Sequence, residues 1–169
     1  MPAFHRILCA TDFSATSLEA LDLALSLARD TGAEVHVVHV VPDPLTQPWM
    51  VEGAGMDFGE LRQVWASDAE RVLKHLVSDR RLEGRVTAAV LMGTPANELL
   101  QYVGDHACDL VVVGSHGHGL VRRFLLGSVA DRVFKSAACA VLVVPHRTFR
   151  PALADMDQMQ EQRTALATA

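Results

Sequence analysis

Short apolar runs alternate with amphipathic stretches along most of the chain. The first run, FHRILCAT at 4–11, precedes a stretch in which Leu18, Leu21 and Leu25 recur at helical spacing. Short, uniformly apolar runs are typical of buried strands, and recurrence every three or four residues is typical of helices packed on a sheet. The predicted strands are 4–11, 33–41, 85–93, 108–114 and 140–145, and the predicted helices are about 15–31, 58–82, 95–106 and 128–137.

Residues that favour helix ends support these boundaries. Ser14 is a predicted N-cap, and Gly32 is placed to adopt the left-handed conformation that closes the last turn of the first helix. Thr94 is a second predicted N-cap, because Pro95 follows it at a position that the first helical turn tolerates. The sequence therefore predicts where at least two of the helices begin.

Strict alternation of strands and helices predicts an α/β fold, a doubly wound five-stranded parallel sheet with helices on both faces. We expect one domain over 1–146 and a C-terminal tail at 147–169 that has weak helical spacing. Ligands of such sheets lie beyond the carboxyl ends of the strands, where the strand order reverses. For the strand order 3-2-1-4-5, that place falls between the first and fourth strands, which end at Thr11-Asp12 and at Gly114.

Composition narrows the classes of function. The chain has 169 residues, 50% of them hydrophobic, and a formal net charge of −5, which argues against general nucleic-acid binding. No stretch approaches the roughly 18 apolar residues of a spanning helix, and the N-terminus lacks a signal-peptide pattern. Cys9, Cys108 and Cys139 match neither a disulfide framework nor a paired metal site. We therefore expect a cytoplasmic protein with buried thiols and no membrane association.

The stretch VVGSHGHGLVRRFLLGSVAD at 112–131 carries candidate chemistry. Its glycines permit close approach of backbone to a ligand, and Gly127-Ser128 opens a helix whose first N–H groups favour a phosphate. The alternative is that the glycines only turn the chain and that Ser128 only caps the helix. The stretch is not a P-loop, because no Gly-Lys-Ser or Gly-Lys-Thr follows the glycines.

Asp12 and four histidines are further candidates for contact with a ligand. The carboxylate of Asp12 suits ribose hydroxyls or an amine, although an aspartate in this position is often only a turn former. His116 and His118 are too few to bind zinc, which normally takes at least three protein ligands. His36 and His39 are three residues apart on a predicted strand, so they face opposite sides and are expected to serve packing.

The glycine spacing Gly114-x2-Gly117-x9-Gly127-Ser128 resembles the G-2x-G-9x-G-[S/T] signature of the ATP-binding branch of the universal stress protein family. The resemblance extends over about 4–146 and includes CATDFSATSLEAL, HVVP, GTPANELL and CAVLVVP. It implies the strand order 3-2-1-4-5 and a nucleotide site at the carboxyl ends of the strands.

The resemblance implies that Asp12 contacts the nucleoside end of ATP and that the main chain at Val40 hydrogen-bonds the edge of adenine. It also implies that the glycine-rich stretch holds the ribose and the phosphates. The resulting nucleotide-binding set is Ala10, Asp12, Val40, Gly114, Gly117, Gly127, Ser128 and Val129. ATP would carry Mg²⁺ on its phosphates. A homodimer is also implied, and the apolar run 140–145, as an exposed edge strand, supports it on physical grounds.

These expectations describe an ATP-dependent regulatory or interaction protein rather than an enzyme. The first loop, Ala-Thr-Asp-Phe-Ser, lacks the signatures of related adenylyl-transferring folds. Two alternatives stay open: an interaction protein of the same fold that binds no ATP, and a slow ATPase in which bound phosphates and a metal ion need only a placed water.

Overall fold

A computed structural model describes residues 4–43, 58–79, 85–116 and 126–145. Most of the loop at 42–57 that follows the second predicted strand, Gly117 and His118, and the 147–169 tail lie outside the described residues. Within them, strands and helices alternate as the hydrophobic pattern predicts. They are β1 (Arg6–Ala10), α1 (Ala15–Thr31), β2 (Glu34–Pro42), α2 (Phe58–Asp79), β3 (Val86–Gly93), α3 (Pro95–Asp105), β4 (Leu110–Gly114), α4 (Ser128–Ser136) and β5 (Ala140–Val144).

The five strands form one parallel sheet in the order β3-β2-β1-β4-β5, which confirms the predicted fold class and strand order. β1 is the central strand: Ile7 lies opposite Val35 of β2 and opposite Leu110 of β4. The chain first winds outward through β2 and β3 and then returns to the other side of β1. The carboxyl ends of β1 and β4 are therefore neighbours at the point where the winding reverses.

The sheet separates two hydrophobic cores. Alternate residues of β1 point to opposite faces, so Ile7 and Cys9 belong to one core and Leu8 and Ala10 to the other. α1 and α2 cover the first face, and α3 and α4 cover the second. The principal helical residues are Leu21, Leu25 and Leu73 in the first core and Leu99, Tyr102 and Val133 in the second.

The predicted ends of α1 are confirmed. Ser14 is its N-cap, and its side chain accepts a hydrogen bond from the N–H of Ser17. Gly32 has φ of 75° and donates its N–H to Ala28 O, as a left-handed C-cap does. These two residues fix the length of the helix that follows β1.

The predicted N-cap residue of α3 is confirmed, but it does not cap the helix with its side chain. Thr94 occupies the N-cap position, but its hydroxyl makes no capping hydrogen bond. Its ψ is 114°, whereas ψ is 158° at Ser14, where the hydroxyl does reach the first turn. The first turn of α3 is instead held by the Thr94 carbonyl, which accepts from the N–H groups of Asn97 and Glu98.

The structure also shows which residues of α2 face the sheet. The apolar spacing of the predicted helix 58–82 is compatible with either Val64 or Trp65 facing inward, and the structure leaves Val64 48% exposed while Trp65 is half-buried. Among the described residues, no helix has both the length and the apolar character needed to cross a membrane.

Candidate functional site

The turn between β1 and α1 places Asp12 at the carboxyl end of the central strand. Asp12 is half-buried, and its Oδ1 accepts hydrogen bonds from the Ser14 N–H, at 3.0 Å, and from the Ser14 hydroxyl, at 2.6 Å. Ser14 in turn accepts from the N–H of Ser17, which begins the helix. Asp12 therefore has the turn-forming role that the sequence left as an alternative, and it has that role at the predicted edge of the sheet.

A chain of buried hydroxyls lies beneath this turn. The Phe13 N–H donates to Thr11 Oγ1 at 3.1 Å, and the oxygens of Thr11 and Ser17 are 3.1 Å apart. The Ser17 hydroxyl donates to the Ser14 carbonyl at 2.9 Å, so the Thr11 hydroxyl is the donor to Ser17. Because every link has a donor and an acceptor, the linked hydroxyls of this buried turn are satisfied and contribute to holding it.

The end of β4 packs directly against this turn. A Cβ added to Gly114 would lie 3.0 Å from Thr16 Cγ2 and 3.2 Å from Ser17 N, which is closer than ordinary side-chain contacts. Glycine at this position therefore has a packing reason, independent of any ligand. The same contact brings two predicted site residues, Asp12 and Gly114, to one place.

The two described ends of the glycine-rich stretch meet each other. The Gly127 N–H donates to Ser115 O at 2.8 Å, and the Ser115 N–H donates to Val144 O at 2.8 Å. A Cβ on Gly127 would lie 3.1 Å from Ser115 O, so a larger residue here would crowd that carbonyl. The hydrogen bond brings the start of α4 to the carboxyl end of β4, the strand whose Gly114 packs against the first turn of α1.

The N-terminal turn of α4 has the character of an anion site. Gly127 is the N-cap, with no side-chain capping bond, and the first bond along the helix joins Asp131 N to Gly127 O. The N–H groups of Ser128 and Val129 precede that bond and lie at the positive end of the helix dipole. Ser128 is exposed and is the first helical residue. The sole acidic residue of this turn, Asp131, is paired with Lys135 at 2.9 Å.

Two members of the predicted set are core residues. Ala10 and Val40 are 8% exposed and belong to the core on the α3 and α4 face, so only their main-chain groups are suited to contact a ligand. Val40 lies in β2 opposite Leu91 of β3. The structure thus groups Asp12, Gly114, Gly127, Ser128 and Val129 around one edge, with Ala10 and Val40 on adjoining strands; Gly117 is outside the described residues.

The histidines of β2 face opposite sides of the sheet, as predicted. His36 is buried against α3, where its Nδ1 lies 2.9 Å from the Tyr102 hydroxyl. His39 is at the other face, and its Nδ1 lies 2.8 Å from Thr11 O. The link from His39 to the Asp12 turn was missed by sequence reasoning, because residues 28 positions apart become neighbours only through the β1-β2 pairing.

The cysteines are free thiols. Cys9 and Cys108 are buried and Cys139 is half-buried. Burial raises the pKa of Cys108 to about 11 and also raises the pKa of Cys139, so both thiols are protonated and unreactive near neutral pH. Among the described residues, no group of three or more His, Cys, Asp or Glu side chains is arranged to hold a metal ion.

Comparison with known proteins agrees with this architecture. A profile of the universal stress protein family matches residues 3–145. The universal stress protein MJ0531 of Methanocaldococcus jannaschii is 34% identical over 141 residues, which cover 83% of this chain and 82% of that protein.

Solved structures show the same fold. The structure of the hypothetical protein MJ0577 of M. jannaschii superposes with a TM-score of 0.73 at 25% identity, covering 86% of this chain and 98% of that one. The universal stress protein of Archaeoglobus fulgidus, solved in complex with dAMP, superposes with a TM-score of 0.58 at 22% identity, covering 85% and 99% of the two chains. The sheet order, the profile match over nearly the whole described domain and these relatives together place the chain in the universal stress protein family.

Proposed function

We propose that the protein binds ATP at the carboxyl edge of β1 and β4 and acts in the stress response as a nucleotide-dependent regulatory or interaction module. The observation that carries the proposal is the hydrogen bond from the Gly127 N–H to Ser115 O, which sets the amino end of α4 at the carboxyl end of β4, the strand that pairs with β1. The start of α4 and the Asp12 carboxylate then follow two adjacent strands, β4 and β1, at the switch point of a doubly wound sheet, where nucleotides bind in this architecture.

The described residues fit the two ends of a nucleotide. The N–H groups of Ser128 and Val129, with the Ser128 hydroxyl, suit phosphate oxygens. Asp12 suits the hydroxyls of ribose, and the main chain at Val40 suits the edge of adenine. Mg²⁺ would be held through the phosphates and would neutralise part of their charge. The dAMP complex of the A. fulgidus relative supports a nucleotide on this fold.

We further propose that the output is binding rather than turnover, in a homodimer that pairs through β5. β5 has β4 on one side, and its residues Ala140 to Val143 are exposed or half-buried in the described chain. An edge strand of this kind favours pairing with a second strand. The three free thiols are consistent with a reducing compartment, which supports a cytoplasmic location.

Calorimetry on nucleotide-free protein tests the proposal directly. We expect saturable ATP binding, and absence of binding at millimolar ATP would overturn it. Two substitutions at one position separate the groups that contact phosphate. Ser128→Ala removes only the hydroxyl, whereas Ser128→Pro removes the hydroxyl and the N–H while remaining compatible with the first position of a helix.

The preceding residue also accepts the proline variant. Gly127 has φ of −59° and ψ of 150°, the extended conformation that a following proline prefers. We expect Ser128→Pro to weaken ATP binding by roughly tenfold or more, since a hydrogen bond to a charged group contributes about 1.5–3 kcal/mol. Ser128→Ala should have the smaller effect. Equal affinities for both variants and the wild type would show that phosphate does not bind at α4.

Two measurements distinguish the remaining alternatives. A mass spectrum of nucleotide retained through purification separates an ATP-binding module from an interaction protein that binds no ATP. Phosphate release after addition of ATP and Mg²⁺, compared between the wild type and Asp12→Ala, separates binding from slow hydrolysis. Release that is abolished by Asp12→Ala would identify a slow ATPase.

A further inference from the structure

Both main-chain groups of Thr11 are tied to β2 just past the end of β1. The Thr11 N–H donates to Val38 O at 2.9 Å, and the Thr11 carbonyl lies 2.8 Å from His39 Nδ1. A carbonyl oxygen only accepts, so Nδ1 of His39 carries the hydrogen. Nδ1 carries it in the charged ring and in this neutral tautomer alike, which means that the bond does not depend on the charge of the histidine.

The next residue but one adopts an unfavourable backbone conformation. Phe13 has φ of 65°, in the left-handed region that a bulky side chain rarely enters. Such a conformation persists only where the surroundings enforce it. Here the Phe13 N–H is held by Thr11 Oγ1 at 3.1 Å, and its ring packs on His39 with the ring centres 4.4 Å apart and the planes inclined by 32°.

One imidazole therefore contacts the residues on both sides of Asp12. It holds Thr11 through a hydrogen bond and Phe13 through ring packing. Asp12 lies between them, with Oδ1 bound to the N–H and hydroxyl of Ser14. Any movement of Thr11 or Phe13 changes the direction of the Asp12 side chain, because the backbone dihedrals of these neighbours set where it starts.

We propose that His39 is the positioning residue for the nucleoside end of the site: its ring fixes Thr11 and Phe13 and so directs the Asp12 carboxylate toward a ribose. This inference rests on the proposed function and assigns different residues to the two ends of the nucleotide. His39 serves the nucleoside end, whereas the start of α4 serves the phosphates. The two ends are then separable by choosing ligands that carry only one of them.

The experiment compares two substitutions of nearly equal shape. His39→Leu removes the hydrogen-bond donor and the aromatic ring, and His39→Asn keeps an amide N–H near the position of Nδ1. Binding of ATP, adenosine and inorganic tripolyphosphate is measured by calorimetry for both variants and the wild type. In His39→Leu, we expect ATP and adenosine affinities to fall roughly tenfold, which corresponds to about 1.4 kcal/mol. Tripolyphosphate affinity should stay within about twofold.

His39→Asn should recover ATP affinity to within about threefold of the wild type. A simple loss of structure cannot produce this pattern, because it would weaken tripolyphosphate binding as well and would not distinguish Asn from Leu. Equal weakening of the binding of all three ligands in His39→Leu, or unchanged adenosine binding, would overturn the role of His39 but not the proposed ATP binding. Failure of the wild type to bind ATP would overturn the proposed function and this inference together.

A crystal structure of His39→Leu gives a readout that needs no ligand. We expect Phe13 to leave the left-handed region and the Asp12 carboxylate to move away from Ser14. An unchanged turn in that variant would show that the hydroxyls of Thr11 and Ser17 suffice to hold it, and would overturn the inference whatever the wild type binds.

Discussion

At the scale of single residues, Gly114 shows how one missing side chain joins two parts of the site. The end of β4 approaches the first turn of α1 so closely that a Cβ would lie 3.0 Å from Thr16 Cγ2. Part of that neighbour is backbone, since Ser17 N would be 3.2 Å away, and backbone in a capped helical turn cannot rotate aside as a flexible side chain can. The closeness of β4 to the Asp12 turn therefore depends on glycine.

We expect Gly114→Ala to lower the free energy of unfolding by about 1–3 kcal/mol, the range typical of overpacking. Gly104→Ala is the matched control, because a Cβ there meets nothing within 4 Å and the residue is inside α3. That control should be neutral or up to about 1 kcal/mol more stable, since alanine is the better helix former. Urea denaturation measures both. A Gly114→Ala protein as stable as the wild type would mean that α1 can shift away from β4 at little cost.

At the scale of elements, the contact between β2 and α3 contains a buried histidine. His36 is 7% exposed, its Nδ1 lies beside the Tyr102 hydroxyl, and the ring of His106 stacks on that of Tyr102 with centres 3.7 Å apart. Burial lowers the pKa of His36, as do the nearby His106 and Arg6, while Glu34 opposes them. The folded protein therefore keeps this ring neutral under conditions in which the unfolded chain would charge it.

The sign of the pH effect follows from that difference. The unfolded state binds a proton at His36 more readily, so the free energy of unfolding falls as the pH drops below the ordinary histidine value of about 6.5. The contribution is fully lost once the pH is below the lowered pKa of the folded state. We expect a flatter dependence of stability on pH in His36→Gln, measured by urea denaturation between about pH 7.5 and 5. His75→Gln, on the exposed side of α2, is the control. Parallel curves for the wild type and His36→Gln would contradict the prediction.

The ends of the helices could be predicted from the sequence better than the faces that they turn to the sheet. Ser14 and Gly32 act through local chemistry, so their capping roles were evident from the sequence. Thr94 is also the N-cap that the sequence predicts, but whether its hydroxyl bonds to the first turn depends on a backbone angle that composition does not specify. The exposure of Val64 beside the half-buried Trp65 depends on how α2 is rotated on the sheet, which tertiary packing decides.

In the candidate site, residue identities could be predicted from the sequence but contacts between distant segments could not. Asp12, Gly114 and Gly127 stand out by residue type and spacing, so the sequence identified them as candidates. The packing reasons for Gly114 and Gly127 were not predictable, because the atoms they approach belong to other segments of the chain. The contact of His39 with Thr11 was missed for a related reason: a histidine in an apolar strand gives no sign of which neighbouring carbonyl it will meet.

At the scale of the whole molecule, β5 is an edge strand of the sheet and the strand through which we propose that a homodimer pairs. The first residue of β5, Ala140, is exposed. A lysine on an edge strand disfavours pairing between sheets, because the charge would have to be buried against the incoming strand. The proposed dimer is therefore sensitive to one surface charge placed on this strand.

We expect the wild type to sediment as a dimer at micromolar concentration and Ala140→Lys to shift toward the monomer. Ala15→Lys places the same charge on an exposed residue in the first turn of α1 and should leave the assembly unchanged. Analytical ultracentrifugation over a range of concentrations measures all three proteins. A dimer that tolerates Ala140→Lys would locate the interface elsewhere, and a monomeric wild type would overturn the proposed assembly.

The central position of β1 also has a consequence for how the chain folds. β1 pairs with β2 across a short separation, 28 residues from Arg6 to Glu34, but Arg6 and Asp109 are 103 residues apart. Contacts that close such long loops form late, because the chain loses entropy before they are gained. β1, β2 and β3 all lie within residues 6–93, whereas the site at the carboxyl ends of β1 and β4 exists only after β4 has been synthesised. Any ligand that binds at that edge therefore recognises the finished protein and not its nascent half.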